Sequence, residues 1–227
     1  MDGHAFAGAL FDWDGVIIDS HAAHAASWEA MARELGQPLP PDFMSHTFGM
    51  RNDRIIPGFT TWARADEPEK IAALGGRKEA LYREILRREG IEPLPGVRRL
   101  LETLAEAGIP CCVGSSTPRE NILTVMELTG LGPLFAGICS AEDVTRGKPA
   151  PDVFLKAAQK IGCDPAECVV FEDAHVGVEA ARAAGASVVA VCTTHPAESF
   201  LGKAGLIVGT LEEVTLDALR ALVTDRQ

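Results

Sequence analysis

The chain has 227 residues, of which 47% are hydrophobic. It can therefore bury a sizeable core, and intrinsic disorder is excluded. Its 21 basic and 32 acidic residues give a formal net charge of -11, which argues against nucleic acid or an anionic membrane surface as the main partner, since both would be repelled. The same charge is compatible with a small anion held in a locally positive pocket. No apolar stretch approaches the roughly 18 residues of a membrane helix, and the N-terminal sequence predicts no signal peptide.

Six cysteines are present, and none forms a C-x-x-C pair. That spacing makes a zinc site improbable, and a chain of this length does not require disulfides. Most of the cysteines lie in or beside apolar runs, which predicts reduced, largely buried thiols. We therefore expect a cytoplasmic protein.

Short apolar runs predict the strands of an α/β fold. They are residues 7–13, 110–114, 168–171, 187–191 and 206–208. The first three runs end abruptly in polar residues, namely the Asp12–Asp14 pair, Ser115 and the Glu172–Asp173 pair.

Helical patterns lie between these runs and have readable ends. Residues 97–104 carry an apolar stripe that Gly108 terminates, and a second helix follows Pro118. Two more are predicted over residues 151–161 and 176–184. Alternating strands and helices indicate βαβ units and a Rossmann-like parallel sheet, in which ligands bind beyond the carboxyl ends of the strands. The polar clusters fall at those ends.

Residues 20–92 break this alternation. They predict helices over 22–35 and 77–88, the latter preceded by Gly75–Gly76, and no convincing strand. We interpret this segment as a small helical domain inserted into the α/β domain, which comprises residues 1–19 and 93–227.

Asp12 and Asp14 are two residues apart, so in an extended chain their carboxylates point the same way. Taken alone, such a pair is most often a solvated strand end. The predicted sheet also brings Glu172 and Asp173 to the same edge, where four carboxylates would repel one another without a cation. Mg²⁺ accepts oxygen ligands and suits such a cluster. A hydroxyl and an ammonium beside it, from Ser115 and Lys148, would complete a cradle for phosphate.

The four motifs Asp12-Trp13-Asp14-Gly15, Ser115, Lys148 and Glu172-Asp173, in this order, resemble those of the haloacid dehalogenase superfamily of phosphotransferases. The resemblance covers essentially the whole chain, and the helical insert matches the position of the family's small cap domain. Within the superfamily, the chain looks closest to the β-phosphoglucomutase-like branch and its sugar-phosphatase relatives.

The resemblance implies a role for each motif residue. Asp12 would be the nucleophile that forms an aspartyl-phosphate, and Asp14 the general acid and base. Ser115 and Lys148 would bind the phosphoryl oxygens. Dehalogenation is not expected, because true dehalogenases of the superfamily lack a carboxylate at the position of Asp14.

The resemblance also implies a metal site and its ligands. Asp12, the main-chain carbonyl of Asp14 and Asp173 would hold Mg²⁺, with Glu172 at the same site. The cation would neutralise the approaching carboxylate and phosphate, which otherwise repel each other.

Further residues are candidates for binding the substrate. Ser116, Thr117 and Arg119 follow the second motif closely, although Arg119 could instead pair with surface acids. In the mutases the second motif is followed by Ser-Lys-Asn, where this chain has Thr117-Pro118-Arg119. After Glu172-Asp173 they have Ser, where this chain has Ala174. Both departures weaken the case for a mutase.

Three candidates lie in the helical insert. His24 matches in spacing a histidine that links cap closure to the catalytic acid in the mutase branch, or it is a packed core histidine. Lys78 reaches the substrate or snorkels to solvent. Arg51 lies in the segment that corresponds to the family's cap substrate loop. Either Arg51 or Arg54 binds the distal part of the substrate, or both form a solvated basic surface.

The sequence therefore predicts a Mg²⁺-dependent phosphomonoester hydrolase for a small phosphorylated metabolite, such as a sugar phosphate, in a monomer or weak homodimer. A β-phosphoglucomutase-type isomerase is the main alternative. A phospho-acceptor signalling module is a remote one, since receiver domains are much shorter and lack a cap.

Overall fold

The computed structural model describes residues 5–47 and 49–224. They fold into two compact units. The helical unit is Ser20–Ile91, and the α/β unit combines the described residues up to Asp19 with those from Glu92 onward.

The helical unit is built from four helices within its described residues. They are α1 (His21–Leu35), α2 (Phe43–Thr47), α3 (Asn52–Phe59) and α4 (Pro68–Glu89). Trp28, Ile56 and Leu81 are buried in their shared core. This unit holds no strand in its described residues, as its sequence predicts.

Helix α4 begins earlier than the sequence predicts. The predicted start at residue 77 is wrong, because the helix runs straight through Gly75 and Gly76. Each glycine costs a helix about 1 kcal/mol relative to alanine. The packing of α4 against α1 and α3 outweighs this cost. At Gly75, α4 and α3 approach closely: a Cβ atom added to Gly75 would lie 3.3 Å from the Cβ of Asn52 in α3.

The α/β unit contains a sheet whose six described strands are all parallel. The strands are β1 (Gly8–Phe11), β2 (Cys111–Gly114), β3 (Gly137–Cys139), β4 (Cys168–Glu172), β5 (Ser187–Val191) and β6 (Leu206–Val208). Their order is β3-β2-β1-β4-β5-β6, so the chain moves outward from β1 in one direction and then in the other. The point of reversal lies between β1 and β4, where open α/β sheets bind their ligands.

Among the described strands, β3 is the one that its sequence does not predict. It has three residues and begins with Gly137, which leaves too short an apolar run to stand out. It pairs with β2 in register, with Cys112 beside Gly137. The other strands were predicted, with ends displaced by one or two residues at most.

Helices cover the sheet and complete the core. In the α/β unit they are α5 (Val97–Glu106), α6 (Arg119–Thr129), α7 (Asp152–Lys160), α8 (His175–Ala183) and α9 (Leu216–Thr224). Single 3₁₀ turns occupy Gly132–Leu134, Ala141–Asp143, Pro165–Glu167, Ala197–Phe200 and Leu211–Glu213.

Alternate strand residues face opposite sides of the sheet. Leu10 and Val170 belong to a buried cluster with α7 and α8. Ser187 faces the opposite side of the sheet from its neighbour Val188. It donates a hydrogen bond to the Leu222 carbonyl of α9. The sheet is therefore covered on both faces, as a Rossmann-like fold requires. No helix of the described residues is long and apolar enough to cross a bilayer.

The α5 stripe yields a stability prediction. Leu104 is fully buried, whereas Leu123 on α6 is 47% exposed. Leu104→Ala should lower the free energy of unfolding by about 2–5 kcal/mol, because it leaves a cavity. Leu123→Ala is the matched control and should stay within about 0.5 kcal/mol. Urea denaturation followed by circular dichroism measures both, and equal losses would contradict the assignment of α5 to the core.

Candidate active site

Polar residues from three strands meet at one edge of the sheet. Phe11 of β1 lies beside Val113 of β2 and Phe171 of β4, so the residues that follow these strands are level with one another. The Asp12 N–H donates to the Phe171 carbonyl at 3.0 Å, which continues the β1–β4 ladder. The carboxylates of Asp12 and Glu172 therefore emerge side by side at the point where the strand order reverses.

Lys148 lies between these two carboxylates. Its Nζ is 2.8 Å from Asp12 Oδ1 and 2.5 Å from Glu172 Oε1, and its side chain is only 8% exposed. Burial by itself would disfavour the charged amine, but Asp12 and Glu172 outweigh it and raise the pKa of Lys148. The side chain is therefore an ammonium held in place by two acids.

Glu172 is completely buried and uses both carboxylate oxygens. Oε1 accepts from Lys148, and Oε2 accepts from the backbone N–H groups of Asp173 and Ala174, at 2.9 and 3.0 Å. Glu172 thus orients Lys148 and shapes the turn that carries Asp173. Burial is the main cause that raises the pKa of Glu172, against the opposing effect of Lys148.

Asp12, Glu172 and Asp173 form a compact acidic cluster. One carboxylate oxygen from each lies within 4.8 Å of the others. Burial, followed by repulsion from Glu172 and Asp12, raises the pKa of Asp173. This electrostatic conflict and the all-oxygen donor set fit a divalent cation such as Mg²⁺, which would relieve the repulsion.

Asp14 lies beside the residues that follow β2. The Thr117 hydroxyl donates to Asp14 Oδ2. Ser115 donates its hydroxyl to Thr117 Oγ1 at 3.2 Å and also accepts the Thr117 backbone N–H at 3.2 Å. Ser115 and Thr117 are buried and Ser116 is half-buried. Thr117, predicted to bind substrate, thus contacts the predicted acid–base residue.

Arg119 contacts β3 and the segment that follows it. Its Nη2 donates to the Ile138 carbonyl at 3.2 Å and lies 3.6 Å from Asp143 Oδ2. Its backbone N–H contacts the Glu142 carboxylate. These contacts match the alternative in which Arg119 pairs with nearby acids, while a substrate contact stays a prediction.

His24 and Lys78 meet inside the helical unit. Lys78 Nζ lies 2.7 Å from His24 Nδ1 and donates to Glu79 Oε1 at 3.0 Å. Asn52 donates to the same Glu79 oxygen at 2.7 Å. Burial, then the charge of Lys78, lowers the pKa of His24 to about 3, so the imidazole is neutral and its Nδ1 accepts from the ammonium. The His24 ring also stacks on Tyr82, with centroids 4.2 Å apart.

Arg51 lies immediately before α3 and is exposed. Its Nη2 is 3.3 Å from Asp53 Oδ2. The predicted substrate loop thus passes into a helix at Asn52. The substrate contacts of Arg51, His24 and Lys78 stay predictions.

Two residues of the site were not singled out from the sequence. The Thr194 hydroxyl donates to Asp173 Oδ2, and the Thr193 hydroxyl donates to the Gly15 carbonyl at 2.5 Å. Both threonines closely follow the end of β5. The signal that revealed Ser115, a polar residue just beyond an apolar strand, was therefore also present here.

The chain is similar to proteins of a known family. A family model described as haloacid dehalogenase-like hydrolase matches residues 6–185. The chain is 33% identical over 223 residues to the Arabidopsis thaliana chloroplastic 5-amino-6-(5-phospho-D-ribitylamino)uracil phosphatase. That match covers 97% of the chain but 58% of the relative.

Shorter relatives match over most of their length. Hexitol phosphatase A of Escherichia coli is 36% identical, over 92% of the chain and 93% of the relative. The β-phosphoglucomutase of Mycobacterium bovis is 34% identical, over 79% and 78%. A crystal structure of a HAD hydrolase, family IA, variant 3, from Entamoeba histolytica superposes with a TM-score of 0.86 at 28% identity, covering 96% of this chain and 99% of the other. With its motif residues gathered at one sheet edge, the chain belongs to the haloacid dehalogenase-like hydrolase family.

Proposed function

We propose that this protein is a Mg²⁺-dependent phosphomonoester hydrolase that acts on a small phosphorylated metabolite of the sugar-phosphate type. The observation that carries the proposal is the buried Lys148 ammonium between Asp12 and Glu172, beside the cluster completed by Asp173. A phosphate dianion and Mg²⁺ are the ligands that complement such an arrangement of charges.

The first half-reaction transfers the phosphoryl group to Asp12. A carboxylate oxygen of Asp12 attacks phosphorus, and the bond between phosphorus and the leaving oxygen breaks. Asp14 donates a proton to that oxygen, so the product leaves as a neutral alcohol. Lys148 and Ser115 bind the non-bridging phosphoryl oxygens.

The second half-reaction releases phosphate. Asp14, now ionised, accepts a proton from a water molecule whose oxygen attacks phosphorus. The bond to Asp12 breaks and returns its carboxylate. Bound Mg²⁺ would supply charge neutralisation between the carboxylates and the phosphoryl group, and Asp12 and Asp173, with the Asp14 carbonyl, would hold it.

Thr117 has a different role in this mechanism from the one that the sequence suggests. Its hydroxyl contacts Asp14 and its backbone N–H contacts Ser115. We therefore assign Thr117 to orienting the acid–base carboxylate, and leave phosphate binding to Ser115 and Lys148.

The helical unit is proposed to act as a cap that selects the substrate. Two relatives bear names that refer to phosphorylated polyols, a hexitol and a ribityl compound, which supports a hydroxylated substrate. The His24–Lys78 pair, with its nitrogen atoms 2.7 Å apart, and Arg51 are the candidates for binding its distal part. The six free cysteines are compatible with a reducing cytoplasm, where we place a monomer or weak homodimer.

The specific alternative is a phosphosugar mutase, which the Mycobacterium relative favours. Incubation with β-glucose 1-phosphate and a trace of glucose 1,6-bisphosphate, alongside a panel of sugar and polyol phosphates, separates the two. We expect free phosphate from at least one ester. Glucose 6-phosphate forming faster than phosphate would establish the mutase.

The Asp12→Asn variant tests the shared covalent step. An amide is a poor nucleophile, so we expect turnover to fall by at least roughly 10³-fold. Asp217→Asn is the matched control, because that side chain is 95% exposed, and it should keep wild-type activity. Activity of Asp12→Asn within tenfold of wild type would refute the assigned nucleophile.

Thr117 yields a second kinetic prediction. Thr117→Val removes the hydroxyl that contacts Asp14 and should lower kcat by about 10- to 100-fold, part of the 10²–10⁴-fold that acid–base catalysis contributes. Thr117→Ser keeps the donor and should stay within about threefold of wild type, while the affinity for Mg²⁺ is unchanged in both. A loss in Thr117→Ser as large as that in Thr117→Val would contradict the assignment, because the hydroxyl that serine retains would then not be sufficient for the effect.

The pKa values of Glu172 and Asp173 predict how pH affects stability. In the metal-free fold they are raised to about 7 and 8, mainly by burial, from ordinary values of 4.5 and 3.8. Between the ordinary and the raised pKa values, the folded protein therefore binds more protons than the unfolded chain. Its stability falls as the pH rises through this range.

Mg²⁺ has to displace those protons, so it binds more strongly at higher pH. The increase in Tm on adding Mg²⁺ should be larger at pH 8 than at pH 6, measured by thermal unfolding at constant ionic strength. Asp173→Asn should reduce the difference between the two. A Mg²⁺ effect that is independent of pH in the wild type would contradict the assigned cluster.

A further inference from the structure

Strand β5 places a threonine pair beside the acidic cluster. Ala190 of β5 is paired in register with Glu172 of β4. Strand β5 ends at Val191, so the residues that follow it lie at the same edge of the sheet as Asp173. Thr193 and Thr194 lie in this segment, outside all four motifs.

The two hydroxyls bind two different segments of the site. Thr194 Oγ1 donates to Asp173 Oδ2, whereas Thr193 Oγ1 donates to the Gly15 carbonyl at 2.5 Å. One segment carries Asp173, and the other follows directly on Asp14. Three chain segments that are remote in sequence are thus connected by two adjacent side chains.

Gly15 brings these segments into direct contact. Its φ of +81° lies in the left-handed region, and a Cβ atom there would overlap the Asp173 carboxylate. The carboxylate therefore lies against the Gly15 backbone on one side and accepts from Thr194 on another. These contacts restrict the directions in which Asp173 can point.

Such a restriction has a physical reason. Asp173 is 4% exposed and lies within the cluster of mutually repelling carboxylates, so an unrestrained side chain would turn away from Asp12 and Glu172. A hydroxyl that donates to a carboxylate stabilises its charged form and its orientation together. Outer partners that orient a metal ligand typically change metal affinity by about 10- to 100-fold when removed.

We propose that Thr193 and Thr194 are positioning residues that hold Asp173 and the Gly15 backbone ready to receive Mg²⁺. Thr194 acts on the ligand itself, and Thr193 acts on the segment against which that ligand lies. This inference rests on the proposed Mg²⁺ site and adds two residues that determine its affinity.

Titration calorimetry with MgCl₂ on the purified full chain, without substrate, tests the inference. Both threonines are exposed, so replacing either with the isosteric valine should leave the fold intact, which circular dichroism verifies. Thr194→Val should raise the Kd for Mg²⁺ by about 10- to 100-fold. Thr194→Ser retains the donor and should remain within about threefold of wild type.

Thr193→Val should raise the Kd by a smaller factor than Thr194→Val, because its hydroxyl does not contact the ligand. Thr103→Val is the matched control. The Thr103 hydroxyl donates to the Arg99 carbonyl within α5. The Kd of Thr103→Val for Mg²⁺ should equal that of wild type.

The outcomes separate the positioning role from the metal site. If the wild type binds Mg²⁺ and the Kd of Thr194→Val lies within threefold of the wild-type value, the positioning role is wrong and the proposed hydrolase is unaffected. A Thr194→Ser variant as weak as Thr194→Val also overturns it, because the hydroxyl would not be the cause. A wild-type protein that does not bind Mg²⁺ overturns the metal site and this inference together.

Discussion

The site depends on the burial of one ammonium among several carboxylates. Lys148 is almost excluded from water and lies within 2.8 Å of both Asp12 and Glu172. A buried charge is tolerated only when it is paired, so these three residues hold one another in place. Asp173 adds a further carboxylate that Lys148 does not contact. That excess of negative charge makes the centre complementary to a divalent cation, and the cation in turn allows a phosphate to approach.

The sheet topology explains how this concentration of charge forms. Asp12 and Glu172 are 160 residues apart but follow adjacent parallel strands at the point where the strand order reverses. Backbone hydrogen bonds fix that register, so the carboxylates are carried to their positions by rigid elements rather than by flexible loops. Glu172 extends the effect beyond the strand, because its second oxygen binds the N–H groups of the turn that presents Asp173. Preorganisation of this kind lets a site stabilise charge without rearranging during the reaction.

Features that the local sequence determines were predictable, whereas features that depend on contacts between distant parts of the chain were not. The ends of β1, β2 and β4 were predictable, because an apolar run followed by polar residues is a local signal. Strand β3 was not predictable, since three residues beginning with Gly137 carry little pattern and owe their conformation to pairing with β2. The predicted start of α4 was wrong, because contacts with α1 and α3 outweigh the low helix propensity of two glycines.

The sequence by itself determined the chemistry that is available: a nucleophilic carboxylate, a second acid two residues later, a hydroxyl and an acidic pair, each at or just after the end of a predicted strand, and an ammonium shortly before a predicted helix. The tertiary structure alone decided how these groups are partnered. In the fold, Thr117 donates to Asp14, Arg119 donates to the Ile138 carbonyl of β3, His24 pairs with Lys78, and Thr194 donates to Asp173. The sequence specifies residue type and order, whereas a hydrogen bond between side chains 21 to 103 positions apart requires loop conformations that only the packed fold determines.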